Sequence, residues 1–354
     1  MNPKAYSRYT FLRVQDIVDE TSDSKSLVFD IPTDMAIEQQ IRFAYKPGQF
    51  LTLRLKIGEE FFTRCYSMSS APGLDPRIQM TVKRVHEGLV SNWLCDNTKV
   101  GDLLEVLPPA GVFSPDNLKQ DFLLIAGGSG ITPIISILRS VLALAGASRI
   151  RLFYANRDVQ SVIFSNALLS LERDHPHRLE IMHWLESEKG LPTSSDIFAF
   201  AKHSAQAQSY VCGPTPFIVA CETALLNLGM DSQRIHIERF FSLSEEWQSN
   251  QNPITNEVVD LGAMTQVTLQ LDDQLLQFQC ASDETVMDAA RRANIELPHA
   301  CLAGICASCM CLVQSGSVFL RANEALDERD LAKGWTLACQ ALPTSAHLIL
   351  KLST

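Results

Sequence analysis

The sequence predicts a multidomain protein: an N-terminal antiparallel β-barrel, a central α/β domain around a parallel sheet, and a C-terminal α+β domain. Three observations lead there. A chain of 354 residues exceeds what one hydrophobic core usually organises. Near Asp121 the apolar pattern switches from alternating to wholly apolar runs. A polar stretch then separates both textures from a tail rich in cysteine. The boundaries expected are 7–115, 116–241 and 264–354, with 242–263 as linker.

Each domain follows from its own pattern. Phe50–Leu55, Ile78–Val82 and Leu103–Val106 alternate with period two between turn residues, as strands of a barrel or sandwich do. From Phe122 to Ala126 every residue is apolar, which fits a strand buried on both faces. A glycine loop and a helical pattern over Ile134–Leu144 follow, then a second buried strand, Ile150–Tyr154. The alternation continues to Tyr210–Cys212 and a helix over Phe217–Leu228, which makes a parallel α/β domain. Ser242–Gly262 is polar and aperiodic, hence the linker. Beyond it, Val267–Leu271 and Leu275–Phe278 flank Asp272-Asp273-Gln274 as a hairpin, and a short helix is expected over Thr285–Ala293.

Composition excludes several function classes. At 46% hydrophobic and 20% charged residues the chain has the material of a globular protein. A formal charge of −10 is not that of a nucleic-acid binder, which carries a basic stripe. The longest apolar run, Leu123–Gly146, is broken by Gly127, Gly128, Gly130, Pro133 and Arg139, so no membrane span is expected. MNPKAYSRYT lacks the apolar core of a secretory signal. Ten cysteines in that setting point to a reducing compartment, where thiols hold metal rather than pair, and to a cytoplasmic location.

Cys301-x4-Cys306-x2-Cys309, with Cys339 after twenty-nine further residues, matches the spacing of a plant-type [2Fe–2S] centre. Four thiolates must surround two irons. The small residues Ala303, Gly304, Ala307 and Ser308 let the backbone wrap closely and aim its N–H groups at sulfur. A zinc site more often shows two C-x2-C pairs. Cys311 sits two residues past a ligand, where strand alternation makes it a buried bystander. Cys65, Cys95, Cys221 and Cys280 have no partner spacing and read as small core residues. His183, His236 and His299 show no metal spacing either.

Four further motifs stand in order along the first two domains. Arg64-Cys65-Tyr66-Ser67 resembles the RxYS signature of the ferredoxin–NADP reductase superfamily. That resemblance implies an FAD whose pyrophosphate pairs with Arg64, whose ring is covered by Tyr66, and whose N5 lies near Ser67. Val82-Lys83-Arg84, followed by Gly88 to Leu94, looks like the superfamily's glycine turn and helix N-terminus at the pyrophosphate, with Val82, Lys83, Gly88, Val90 and Ser91 in contact. Lys83 and Arg84 also fit as solvated strand charges, with only their main chain touching the cofactor. Gly127 to Pro133 is not the GxGxxG fingerprint but resembles the GGxGITP loop, which places Gly128, Gly130 and Thr132 at the dinucleotide. Cys212-Gly213-Pro214 resembles the CGP motif beside the nicotinamide. Ser67, Thr132 and Cys212 are then the residues expected at the reacting atoms. Glu238-Arg239-Phe240 ends the second domain where relatives place a carboxylate and an aromatic, here Phe240, near the flavin; a plain strand end reads almost as well.

The whole order resembles the reductase components of bacterial multicomponent oxygenases, with a β-grasp ferredoxin domain last. Tyr154 to Asp158 with Ser161 to Phe164, and His183 to Glu186, look more like the steroid-hydroxylase group, and the phenylacetyl-CoA epoxidase group is the runner-up. The resemblance implies electron flow from NADH, or NADPH, through FAD and the [2Fe–2S] cluster to a terminal oxygenase. Hydride transfer needs no acid–base pair, so the lack of a His–Asp constellation agrees. Arg157 could grip a 2′-phosphate, stack on adenine or face solvent, and Asp158 beside it disfavours a dianion. Reductases serving a cytochrome P450 or a hybrid-cluster protein, and a redox-sensing or zinc-binding module, are the other readings.

Overall fold

The structure is a computed structural model describing residues 9–31, 41–240, 264–271, 274–304, 306–323, 325–326 and 328–352. The expected linker 242–263 lies outside the described residues.

Strands β1 (Thr10–Thr21), β2 (Ser24–Asp30), β3 (Phe50–Ile57), β4 (Glu60–Ser67), β5 (Ile78–Lys83) and β6 (Leu103–Ala110) form one antiparallel sheet, in the order β4-β3-β6-β1-β2-β5. An isolated bridge from Met68 to Met80 joins its two ends, so the sheet closes as a barrel. Leu51, Leu53 and Leu55 point inward with Leu12, Val14, Met80 and Val82, as period two requires. Helix α1 (Leu89–Asn97) packs Val90 and Leu94 into the same core.

The second sheet is wholly parallel, in the order β11-β10-β7-β8-β9, built from β7 (Phe122–Gly127), β8 (Ile150–Asn156), β9 (Leu179–Leu185), β10 (Gln208–Gly213) and β11 (Ile235–Arg239). Its alternate residues feed two cores. Phe122, Leu124 and Ala126 meet α2 (Ile131–Leu144) and Leu168 of α3 (Ser165–Asp174). Leu123 and Ile125 meet α4 (Ser194–Ala201) and α5 (Thr215–Asn227) on the other side. Helices on both faces explain why β7 carries no polar residue. Helix α2 starts at Ile131, three residues before the apolar periodicity alone suggests, because Thr132 and Pro133 fit a first turn. This helix also fastens the sheet to the barrel. Arg139 grips Asp75 at 2.6 and 2.7 Å, and Ser136 Oγ donates to the Ser70 carbonyl at 2.6 Å.

The third sheet runs β13-β12-β18-β14-β16, from β12 (Thr265–Leu271), β13 (Gln274–Cys280), β14 (Met310–Ser315), β16 (Trp335–Leu337) and β18 (His347–Leu352). Only β12 and β18 pair in parallel. A two-stranded ribbon, β15 (Val318–Leu320) with β17 (Ala341–Pro343), flanks it. Helix α6 (Val286–Arg292) lays Val286, Met287, Ala289 and Ala290 on the sheet, its N-terminus capped by Thr285 Oγ1, which accepts from Asp288 N–H at 3.1 Å. A mixed sheet holding one helix is the β-grasp arrangement. Helix α7 (Glu328–Ala332) touches the parallel sheet, where Arg329 donates to the Ile235 carbonyl at 3.1 Å and to that of Gln233.

No helix among the described residues is long and apolar enough to cross a membrane.

Candidate electron-transfer site

Ser67, Cys212 and Glu238 meet although three different strands supply them. Ser67 ends β4, Cys212 lies near the end of β10 and Glu238 near the end of β11. Ser67 Oγ is 3.4 Å from Glu238 Oε2, and Cys212 Sγ is 4.0 Å from the same oxygen. Burial pushes the Glu238 carboxyl up to about 8, against a smaller opposing pull from the Ser67 hydroxyl, so it is protonated at neutral pH. Burial, then the nearby Glu238, holds the Cys212 thiol well above its ordinary range. The corner is thus uncharged and lies at the carboxyl ends of parallel strands, where ligands of open α/β sheets bind.

Glycines make the approach possible. A Cβ on Gly130 would stand 2.2 Å from the Cys212 carbonyl oxygen, and one on Gly213 would stand 2.8 Å from the Phe217 ring. The loop after β7 and the end of β10 therefore pack backbone to backbone. Gly128 takes φ +55 under the Lys83 ammonium, while Tyr154 Oη donates to its carbonyl at 3.2 Å. Thr132 is buried and its hydroxyl donates to the Ser129 carbonyl at 3.0 Å. Pro214 caps α5 without a side-chain bond, and Phe240 packs against the core that contains Cys212.

On the barrel, Arg64 and Tyr66 share one face of β4. Arg64 donates to the Thr63 carbonyl at 2.9 Å and has no carboxylate partner among the described residues. Tyr66 packs on the barrel core. Gly88 is the N-cap of α1 with no side chain bonded over it, and a Cβ there would stand 2.7 Å from Ser91 Oγ. Ser91 braces this turn by accepting from Val85 N–H at 3.1 Å. Val82 and Val90 bury their side chains, so only their main chains can face a ligand. Arg84 is occupied by Asp96 at 2.5 Å. Lys83 instead reaches between Asp23, at 3.8 Å, and the Gly128 loop. An arginine without a carboxylate, a bare helix N-terminus and an aromatic on the same edge fit a flavin dinucleotide.

The cysteine loop curls through left-handed residues at Leu302, Gly304 and Ala307. At Gly304 a Cβ would meet the Ala322 carbonyl at 2.5 Å, so glycine is required there. Cys301 N–H points at Cys306 Sγ (3.4 Å) and Ala303 N–H at Cys301 Sγ (3.3 Å). Cys306 faces Cys301 and also Cys65, while Cys309 faces Cys339. Two thiol pairs with N–H groups aimed at sulfur fit a two-iron cluster.

The comparisons agree with this donor chemistry. Residues 12–114 match the oxidoreductase FAD-binding domain, 124–223 the oxidoreductase NAD-binding domain, and 269–344 the 2Fe-2S iron-sulfur cluster binding domain. The chain is 42% identical to the ferredoxin reductase component of 3-ketosteroid-9-alpha-monooxygenase from Rhodococcus rhodochrous, over 97% of this chain and 96% of that one. This chain belongs to the oxygenase ferredoxin-reductase family. Within that family, a component of the 1,2-phenylacetyl-CoA epoxidase from Escherichia coli is 32% identical over 96% of each chain. Phthalate dioxygenase reductase shares the fold at TM-score 0.60 and 25% identity, covering 97% of this chain and 98% of that one. The protein is accordingly a flavin- and iron–sulfur-dependent NAD(P)H oxidoreductase.

The structure corrects two expectations. Cys65 is not a core residue: it is half-buried, and its thiol lies 2.9 Å from Ser308 Oγ in the cysteine loop. Cys95, Cys221, Cys280 and Cys311 are buried in apolar cores. Asp158 does not face Arg157. It accepts from Ser161 N–H at 2.9 Å as a helix cap, and the carboxylate beside Arg157 is Asp23. Sequence spacing missed Cys65 and Ser308 because 243 residues separate them.

Proposed function

We propose that this protein is the reductase component of a steroid-hydroxylating oxygenase, passing electrons from NADH through FAD and a [2Fe–2S] cluster to the oxygenase. One observation carries the reading. A single strand, β4, meets the nicotinamide sheet at Ser67 and the cysteine loop at Cys65, two residues apart. The higher identity to the steroid-monooxygenase component than to the epoxidase component supports the steroid substrate class.

When bound, a flavin would supply a hydride acceptor for the nicotinamide and a [2Fe–2S] cluster a one-electron relay to the partner. The residues supply position and electrostatics. Arg64 and the Gly88 helix start hold the FAD pyrophosphate, while Tyr66 covers the ring. Gly128, Gly130 and Thr132 form the floor under the dinucleotide, with Gly213 and Pro214 at the nicotinamide end. Ser67 and Cys212 flank the reacting atoms, and Glu238 keeps its proton and so adds no charge there. Cys301, Cys306, Cys309 and Cys339 hold the irons.

The test is reconstitution. The purified protein with NADH should drive steroid hydroxylation by a 3-ketosteroid 9α-hydroxylase oxygenase. Turnover of a phenylacetyl-CoA epoxidase oxygenase instead would overturn the steroid assignment.

A further inference from the structure

Ser308 lies between two cluster cysteines, is buried, and has three polar neighbours. Its Oγ is 3.3 Å from Cys306 Sγ, 2.9 Å from Cys65 Sγ and 3.1 Å from Thr52 Oγ1. Thr52 and Cys65 are cross-strand partners on β3 and β4, with Oγ1 and Sγ 3.5 Å apart. Two residues along β3, Arg54 reaches Glu296 at 3.1 Å, and Val112 packs on the ferredoxin-domain core. The cysteine loop is therefore seated on the flavin strand through a polar triangle.

The hydrogens in that triangle can be assigned. A hydroxyl has one proton and two acceptor lone pairs. As an iron ligand Cys306 is a thiolate and can only accept. Ser308 must then donate to Cys306 and accept from the Cys65 thiol and the Thr52 hydroxyl. Ser308 thereby uses its proton and both lone pairs. The 3.5 Å Thr52–Cys65 approach is then a contact without a hydrogen bond, and Cys65 also faces Cys306 directly.

We propose that Ser308 is a positioning residue for the flavin-to-cluster step, joining the Cys306 sulfur to Cys65 and Thr52 and making Cys306 the ligand where the electron enters. This rests on the function proposed above. The step moves one electron from the reduced flavin to the oxidised cluster, and no bond forms or breaks. A hydrogen bond to a ligand sulfur withdraws charge and favours the reduced cluster. Cys65, between the residues assigned to the flavin phosphate and ring, holds the other end.

The experiment uses the holoenzyme under anaerobic conditions. Ser308→Ala should shift the cluster midpoint, followed by EPR-monitored titration, to a more negative potential. It should also slow the flavin-to-cluster phase in stopped flow about tenfold, read against the hydride phase of the same trace. Ser308→Thr, which keeps the hydroxyl, should restore the potential. Cys65→Ala should slow the same phase with the cluster intact, and Cys65→Ser should recover it. A fully loaded Ser308→Ala protein with unchanged midpoint and rate would overturn the proposal. If that variant fails to assemble its cluster, an unaltered midpoint and rate in Cys65→Ala does so instead. Wild-type protein without a reduced-cluster EPR signal would refute the function reading rather than this one.

Discussion

Arg157 Nη2 donates to Asp23 Oδ2 at 3.0 Å, tying the loop after β8 to the turn between β1 and β2. Lys83 approaches the same carboxylate at 3.8 Å. A guanidinium held this way already has its anion, and a cofactor 2′-phosphate would have to displace it. The expected outcome is a kcat/KM preference for NADH over NADPH at matched salt. Asp23→Ala should shift that ratio toward NADPH by about tenfold, ~1.4 kcal/mol. An unchanged ratio would place the ribose away from Arg157.

Arg64→Ala should weaken FAD retention, because a charge-assisted bond to the pyrophosphate contributes roughly 1.5–3 kcal/mol. The measure is flavin content after extended dialysis. Full occupancy would assign Arg64 another task.

Serine substitution at Cys301, Cys306, Cys309 or Cys339 should abolish the cluster's visible and EPR signatures while NADH still reduces ferricyanide through the flavin. Cys311→Ser should keep its cluster, since Cys311 lies in the apolar core of the third sheet.

Glu238 gives a pH prediction. Its carboxyl rises from 4.5 unfolded to about 8 folded, so between those values the folded state holds a proton that the unfolded state has released. Stability should fall as pH rises through that window, by up to ~1.4 kcal/mol per pH unit. Glu238→Gln should flatten the dependence. Urea unfolding at pH 5 and pH 8 decides it, and parallel curves for both proteins would mean an ionised carboxylate.

Gly130→Ala should cost about 1–3 kcal/mol, because the new methyl would stand 2.2 Å from the Cys212 carbonyl. Thermal melting reads this directly.

Local pattern made the modules legible. Alternation marked the barrel strands, and the wholly apolar β7 announced a sheet covered on both faces. Four cysteines within one loop and one strand end fixed the cluster chemistry, because the ligands are near in sequence. What stayed hidden depends on contacts between modules. Family resemblance put the Glu238 carboxylate near the flavin, but its meeting with Ser67 and Cys212 shows only when β11 lies beside β10. Cys65 looks like a core thiol until the cysteine loop, more than 200 residues on, is seated against it. Asp23, in a turn of the barrel, gives no sign that its partner is Arg157.

Charged groups make several of the contacts between modules: Arg139 with Asp75, Arg54 with Glu296, and Arg329 with the carbonyls at the start of β11. The cores behind them are apolar and carry no charge to screen, whereas these partly exposed ion pairs weaken as the Debye length shrinks to ~3 Å in molar salt. Ionic strength therefore acts on the joints before it acts on the modules. Raising it should slow the passage of electrons while each module stays folded, so throughput responds to the electrolyte at these contacts.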